Sequence, residues 1–198
     1  MLSSVSSVAS IAIKNARLYE AAWTEARTDE LTGLLNRKYF YEILDEEYEK
    51  NKDGSLALIL FNIDDFKLYN QLYGNQQGDV ALRKVADIIQ ASVGERGYVA
   101  RHSAKEFAVL MRNYDIFSAR NLAESIQKQI LHMRNDSADY KLKILTVSVG
   151  ISAAPYAARS AKELLDNADL AVYHVKRSGK NGIEIFAVSY THLTLPTN

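Results

Sequence analysis

The stretch Arg101-His102-Ser103-Ala104-Lys105-Glu106-Phe107 decides the fold, because it separates two apolar runs at the spacing of a β-hairpin. Tyr98-Val99-Ala100 precedes it, and Phe107-Ala108-Val109-Leu110-Met111 continues the chain after the polar break. β-Branched and aromatic residues on both sides of a short polar break predict two strands joined by a tight turn. The charged tip of such a hairpin is either part of a functional site or an ordinary solvated turn.

A second polar interruption of an apolar run lies earlier, in Leu58-Ile59-Leu60-Phe61-Asn62-Ile63-Asp64-Asp65-Phe66-Lys67. Residues 55–63 are almost continuously apolar, which is typical of a central strand that is covered on both faces. Asn62 and Asp64 are two residues apart, so on a strand they project to the same face. This second polar group favours a functional site over a solvated turn.

The rest of the chain alternates between helical and extended patterns. Residues 3–25 contain no Gly or Pro, which predicts a helix. Asn36 is a good N-cap for a helix over residues 37–52, and Asp79 is expected to open another helix. Further helices are expected at residues 66–72, 116–133 and 162–177, and further strands at residues 142–153 and 183–186.

The order of these elements predicts the fold class. Strand, helix, strand, strand, helix and strand imply an α+β fold, in which helices pack against a mixed antiparallel sheet. Gly150, inside a predicted strand, indicates a bulge or a close approach of backbone or ligand. Residues 190–198 continue none of these patterns and are expected to form an unstructured tail.

Composition limits the function classes. The 198 residues are 47% hydrophobic, which is enough for one core, and 24 basic residues balance 24 acidic ones. This balance gives no overall field to hold nucleic acid, so any phosphate binding must be local. The absence of cysteine, of a signal peptide and of a membrane-length apolar run predicts a soluble, cytoplasmic fragment with no membrane segment.

The two polar stretches, taken together with further motifs of the chain, resemble the GGDEF domain family of diguanylate cyclases. Members of this family condense two GTP into cyclic di-GMP. These motifs follow the family's order: Asp29-Glu30-Leu31-Thr32-Gly33-Leu34-Leu35-Asn36-Arg37, Asn70, Gly74, Gly78-Asp79, Thr146-Val147-Ser148-Val149-Gly150-Ile151 and Asn167-Ala168-Asp169-Leu170-Ala171-Val172-Tyr173. The resemblance implies a GGDEF domain over residues 29–189, with the ferredoxin-like, palm-like fold of nucleotide cyclases.

The signature of the family is altered in this chain. Where the family has Gly-Gly-Asp/Glu-Glu-Phe, this chain has Ser103-Ala104-Lys105-Glu106-Phe107. The resemblance places the family's two metal-binding acids at Asn62 and Lys105. Two unit charges ~4 Å apart interact by about 4 kcal/mol at a surface dielectric of ~20, so a lysine there opposes Mg²⁺ binding.

These changes imply that the magnesium site and the catalysis are lost. Glu106 remains as a residual catalytic position, and Asp64 is the nearest carboxylate that could rescue a metal site at Asn62. Magnesium is therefore expected only if activity is retained, and no other cofactor is expected. The Arg-x-x-Asp feedback site of many active cyclases would fall at Gly94 and Gly97 and is absent.

The positions that recognise the nucleotide in the family are better kept. Asn70 and Asp79 match the guanine-binding residues, and an amide with a carboxylate suits the O6, N1 and N2 atoms of guanine. Lys67 also matches a nucleotide-binding position, and Lys176 matches a phosphate-binding lysine. Lys180 stands where the family usually has arginine, so it keeps the charge but loses the bidentate geometry. The alternative is that Asp79 caps its helix, Asn70 ends one, and the lysines are only solvated.

Three functions remain open. The first is an inactive domain that binds GTP, with the Lys105 ammonium replacing Mg²⁺ beside the phosphates. The second is a residual diguanylate cyclase that uses Asp64 and Glu106, and the third is a ligand-free interaction module. Residues 11–20 resemble the closing helix of GAF-like sensor domains, which implies that residues 1–28 form a connector helix through which a homodimer pairs. The alternative is that the helix packs back on its own domain.

Overall fold

The computed structural model describes residues 2–51, 54–136 and 145–187. The helices are α1 (Leu2–Glu25), α2 (Arg37–Lys50), α3 (Phe66–Tyr73), α4 (Asn75–Val93), α5 (Ile116–Asp136) and α6 (Ala161–Arg177), with a 3₁₀ turn at Gly94–Arg96. The strands are β1 (Leu35–Asn36), β2 (Leu56–Ile63), β3 (Gly97–Ser103), β4 (Glu106–Arg112), β5 (Val147–Ala154) and β6 (Ile183–Ile185). Residues 142–144 of the predicted strand and the predicted tail at 190–198 lie outside the described residues.

The sheet is mixed and has the strand order β1-β3-β4-β2-β5-β6. The central strand β2 runs antiparallel to β4 and to β5, whereas the outer pairs β1–β3 and β5–β6 are parallel. All eight residues of β2 are buried, as its apolar composition predicts. The predicted α+β class and mixed sheet are confirmed, and β1 is a short strand that the sequence did not indicate.

Side chains of β2 alternate between two cores on the two faces of the sheet. Ile59 and Phe61 belong to the core with α4 and α5, whereas Leu58 and Leu60 belong to the core with α2 and α6. Because successive strand residues point to opposite faces, Asn62 continues the second of these two rows. The polar end of β2 therefore lies on the face covered by α2 and α6.

The predicted start of one helix is wrong. Helix α4 begins at Asn75 rather than at Asp79, which lies after the first helical turn. The boundary is set by Gly74, whose φ of 86° separates α3 from α4 and is easily adopted only by glycine. Asp79 is consequently not an N-cap.

Two other local predictions are confirmed. The Asn36 side chain caps α2 by accepting a hydrogen bond of 2.9 Å from the backbone N–H of Tyr39, and this helix ends at Lys50. Gly150 is a point of close backbone approach, because an added Cβ would lie 2.1 Å from the carbonyl oxygen of Ala168 in α6. A side chain at this position would push α6 away from the sheet.

Helix α1 leaves much of its apolar surface exposed. Ile11, Leu18 and Trp23 are 57%, 60% and 59% exposed. At the base of the helix, the Arg27 guanidinium lies 3.6 Å from the centre of the Trp23 ring and 4.5 Å from that of Tyr39. No helix within residues 2–51, 54–136 and 145–187 combines the length and apolar character needed to cross a membrane.

Candidate functional site

The tip of the β3–β4 hairpin is a tight turn. Ser103 pairs with Glu106, so only Ala104 and Lys105 connect the two strands. The register shifts between Arg101 and Ser103, which identifies a bulge at the intervening residue. The altered signature thus occupies the tip of the hairpin, as the sequence predicts.

Arg101 fixes this tip to the turn that follows α1. One guanidinium nitrogen pairs with Asp29 Oδ1 at 3.1 Å, and another donates to the Ala104 carbonyl oxygen at 3.1 Å. The two charged side chains are only 16% and 22% exposed. Burial acts to raise the pKa of Asp29, but hydrogen bonds from Thr32 and Arg101 outweigh it and lower this pKa. The ionised carboxylate therefore stabilises the hairpin.

Asn62 and Ser103 both donate hydrogen bonds to Glu106, while Asn62 Oδ1 is buried without a partner among the described residues. Asn62 lies opposite Glu106 across the β2–β4 pair and donates to Glu106 Oε1 through its amide nitrogen. Ser103 donates from its hydroxyl to Glu106 Oε2 at 2.6 Å. Both carboxylate oxygens of Glu106 are thus used within the protein.

Asp64 is also engaged on both of its oxygens. Its Oδ1 accepts from Ser148 at 2.6 Å, and its Oδ2 accepts from the Thr146 hydroxyl at 2.7 Å and the Asn181 N–H at 3.1 Å. These donors join the end of β2 to β5 and to the turn after α6. A buried carboxylate with three donors has a structural role in the fold.

These residues do not fit the magnesium ion that the resemblance implies. Mg²⁺ needs several oxygen ligands at octahedral geometry, usually with carboxylates among them. The nearby carboxylates of Asp64 and Glu106 already accept hydrogen bonds from protein donors. Lys105 adds a positive charge at the hairpin tip. Within the described part of the chain, no three His, Cys, Asp or Glu side chains are arranged to hold a metal.

Four of the predicted lysines line one cleft of about 410 Å³, together with Asp64 and Asp65. This lysine cleft is defined by Lys67, Lys105, Lys176 and Lys180. Burial, followed by the charge of Lys105, lowers the pKa of Lys176, as expected where cations converge. A cleft of this charge can bind a polyphosphate.

One of the four lysines is already paired. Lys180 Nζ contacts both carboxylate oxygens of Asp65, at 2.7 and 2.8 Å, and the hydrogen bond raises the pKa of Lys180. Asp65 precedes α3 with a φ of 49°, a left-handed conformation that Asp and Asn tolerate better than most residues. No local sequence pattern indicates this pair, which joins residues 115 positions apart.

Asn70 and Asp79 lie at the junction of α3 and α4 and are not among the residues that line the lysine cleft. Asn70 and the cleft residue Lys67 belong to the same helix, one turn apart. Asn70 Oδ1 is buried and accepts no hydrogen bond from the described residues. The junction therefore places an amide one helical turn from a residue of the lysine cleft.

A comparison with protein families decides the identity of the domain. Residues 26–182 match the family described as diguanylate cyclase, GGDEF domain. The chain belongs to the GGDEF domain family. The match covers the hairpin, the lysine cleft and the α3–α4 junction.

Individual relatives agree with this assignment. Diguanylate cyclase A of Treponema denticola is 32% identical over 190 residues, which are 93% of this chain and 50% of that protein. The GGDEF domain of DgcB from Caulobacter crescentus, solved with c-di-GMP, aligns with a TM-score of 0.76 at 29% identity, over 82% of this chain and 94% of that one. The coiled coil and GGDEF domain of the same protein align with a TM-score of 0.82 at 26% identity, over 93% and 98%. The chain spans half or less of the full length of the first curated relatives that it matches.

This GGDEF domain contains two further site residues that sequence reasoning did not select. Burial lowers the pKa of His102, and its Nδ1 is buried without a hydrogen-bond partner among the described residues. Burial and then the Glu106 charge raise the pKa of Asp169 on α6. His102 belongs to the stretch at the hairpin tip and Asp169 to the motif at residues 167–173, but only the hairpin register and the position of α6 bring them toward Glu106.

Proposed function

We propose that this chain is a catalytically inactive GGDEF domain of a cyclic di-GMP signalling protein, and that it binds GTP as a regulatory ligand without magnesium. The observation that carries the proposal is the charge of the site. Lys105 and Asn62 stand at the two positions where the family has metal-binding acids, and Lys105 lines one cleft with three other lysines.

The proposed inactivity follows from the chemistry that cyclisation requires. Attack of a ribose 3′-hydroxyl on an α-phosphate concentrates negative charge on phosphoryl oxygens, which related enzymes neutralise with Mg²⁺ held by carboxylates. Glu106 and Asp64 are held by hydrogen bonds from protein donors, and residues 62 and 105 are an amide and an ammonium rather than carboxylates. A residual cyclase would have to hold Mg²⁺ with these two acids alone, against the positive charge of Lys105 at the hairpin tip.

The proposed binding of GTP uses two parts of the domain. In the lysine cleft, ammonium groups contact the phosphates, and Lys105 supplies positive charge that a metal would otherwise supply. At the α3–α4 junction, the Asn70 amide and the Asp79 carboxylate contact the guanine. The Lys180–Asp65 pair has to loosen for Lys180 to reach a phosphate.

The proposed signal passes through α1 and a second copy of the chain. An exposed row of large apolar residues favours pairing with another helix. The alignment with a relative described as a coiled coil and GGDEF domain extends over 93% of this chain, which supports the same interpretation of α1. On this proposal α1 connects a cytoplasmic homodimer to an upstream GAF-like sensor domain.

Two measurements on the purified protein test the proposal. Titration with GTP is expected to show saturable binding, and incubation with GTP and Mg²⁺ is expected to yield no cyclic di-GMP. Formation of cyclic di-GMP would overturn the proposed inactivity in favour of a residual cyclase. Absence of GTP binding would overturn the regulatory role in favour of a ligand-free interaction module.

A further inference from the structure

Gly78 lies against the side chain of Asn70. A Cβ built on Gly78 would come within 2.0 Å of Asn70 Oδ1 and 3.0 Å of its Cγ, whereas the backbone of Gly78 leaves this space to the amide. Non-bonded heavy atoms essentially never lie within 3.0 Å of a Cβ, so any side chain at residue 78 would displace the Asn70 amide. The Asn70 side chain depends on the glycine for its position.

This contact also orients the amide. The oxygen faces Gly78 and is buried, while the amide nitrogen lies farther from Gly78 than the oxygen does. An asparagine amide has a donor end and an acceptor end, so burying the oxygen leaves the N–H donors for a ligand. A donor in this position suits an acceptor on the base.

We propose that Gly78 is a positioning residue for base selectivity, which rests on the proposed function of the domain as a GTP-binding module. By holding the Asn70 oxygen inward, it presents the amide N–H groups to a 6-oxo purine. A 6-amino purine has an amino group, a donor, where the 6-oxo purine has its oxygen. The Asn70 N–H groups and this amino group would therefore face each other without a hydrogen bond. Sites built around a buried polar group reject such analogues more strongly than apolar pockets do.

The test compares GTP, ITP and ATP by titration with the purified chain. The wild type is expected to bind GTP and ITP more tightly than ATP. Because ITP lacks the 2-amino group, its agreement with GTP excludes that group and assigns the preference to the 6-oxo group and the adjacent N1–H. The Asn70 variants test the contribution of the 6-oxo group. Gly78→Ala is expected to weaken GTP and ITP by about 10-fold, the value of one hydrogen bond, and to leave ATP within about twofold.

A double-mutant cycle separates positioning from a general loss of structure. Asn70→Ala is expected to lose the same selectivity, and adding Gly78→Ala to it is expected to change GTP affinity by less than about twofold. Gly54→Ala is the matched control, because a Cβ on Gly54 would meet its nearest atom at 3.7 Å. Asn70→Asp needs no change at Gly78. It replaces the outward donor with an acceptor and should shift the preference toward ATP.

Each outcome has a distinct meaning. If the wild type binds GTP but Gly78→Ala keeps the ratio of GTP to ATP affinity, the positioning role is wrong and the proposed function stands. Additive effects of Asn70→Ala and Gly78→Ala would also overturn it. Should Gly78→Ala alone fail to fold, an unchanged preference in Asn70→Asp overturns the proposal. A wild type that binds no GTP overturns the proposed function and this inference together.

Discussion

The polar end of β2 and the junction of α3 with α4 differ in how their polar atoms are used. At the end of β2, Asn62 and Ser103 donate to Glu106, and three further donors surround Asp64. Both regions contain a buried amide oxygen without a hydrogen-bond partner among the described residues, Asn62 Oδ1 at the end of β2 and Asn70 Oδ1 at the junction. The two regions differ in what surrounds this amide. Near Asn62 the carboxylates that a metal would need are held by protein donors, whereas Asn70 lies against the backbone of Gly78. This difference supports lost metal chemistry beside retained base recognition.

The largest expected effect comes from placing acids at residue 62, at the end of β2, and at residue 105, at the hairpin tip. In Asn62→Asp/Lys105→Asp, carboxylates replace an amide and an ammonium, so GTP binding should become dependent on Mg²⁺. EDTA is expected to lower the GTP affinity of this variant by on the order of 100-fold, since one reversed charge pair is worth several kcal/mol, about 4 at a surface dielectric of ~20. Titration calorimetry with Mg²⁺ and with EDTA provides the measurement.

The control for this experiment is a lysine outside the cleft. Lys84 is exposed on α4, so Lys84→Asp makes an equal change of charge without touching the site. Its GTP affinity should respond to EDTA as that of the wild type does. If EDTA leaves the GTP affinity of the double variant as unchanged as that of the wild type, residues 62 and 105 do not control the metal dependence of GTP binding.

The next effect concerns the ion pair that fixes the hairpin tip. Asp29→Asn removes a largely buried charge from Arg101 and should lower the free energy of unfolding at pH 7 by about 2 kcal/mol, as measured by urea denaturation. Because the folded pKa of Asp29 is lowered, its contribution is present above the unfolded pKa of about 3.9 and is lost as pH falls through the lower folded value.

The pH dependence sharpens this prediction. Below about pH 4 the stability of Asp29→Asn should fall less steeply than that of the wild type. Glu30→Gln is the control, since Glu30 is the exposed neighbour. The ratio of GTP to ATP affinity should remain unchanged, because the ion pair supports the hairpin and not the α3–α4 junction. Equal stabilities of Asp29→Asn and the wild type would show that the pair does not hold the tip.

The smallest effect concerns the acid that pairs with Lys180. Asp65→Asn keeps a residue that tolerates the left-handed conformation and removes a negative charge from the lysine cleft. Affinity for inorganic tripolyphosphate should rise by about threefold, in line with a solvent-exposed ion pair. Asp87→Asn, on the exposed side of α4, is the control. Weaker binding would show instead that Asp65 organises Lys180 for the ligand.

Much of the fold could be predicted from the sequence because it depends on apolar pattern. The hairpin and β2 were found from runs of apolar residues, and Asn36 was found as a cap from its side-chain chemistry. The start of α4 was missed, because its boundary depends on the positive φ of Gly74 rather than on a side chain.

The site was predictable only in part. Family resemblance selected Lys67, Lys105, Lys176 and Lys180, and the structure brings all four to one cleft. The partners of Asp64 and Asp65 could not be predicted, since they are more than 80 residues away along the chain. Such contacts are determined by tertiary packing and leave no local pattern.

The most direct test of the central claim is titration of GTP into the wild type and Lys105→Ala, each with Mg²⁺ and with EDTA. The account predicts that EDTA leaves the wild-type affinity within about twofold and that Lys105→Ala weakens binding by about 10-fold or more in EDTA. Wild-type binding that collapses in EDTA, together with normal binding by Lys105→Ala, would contradict it.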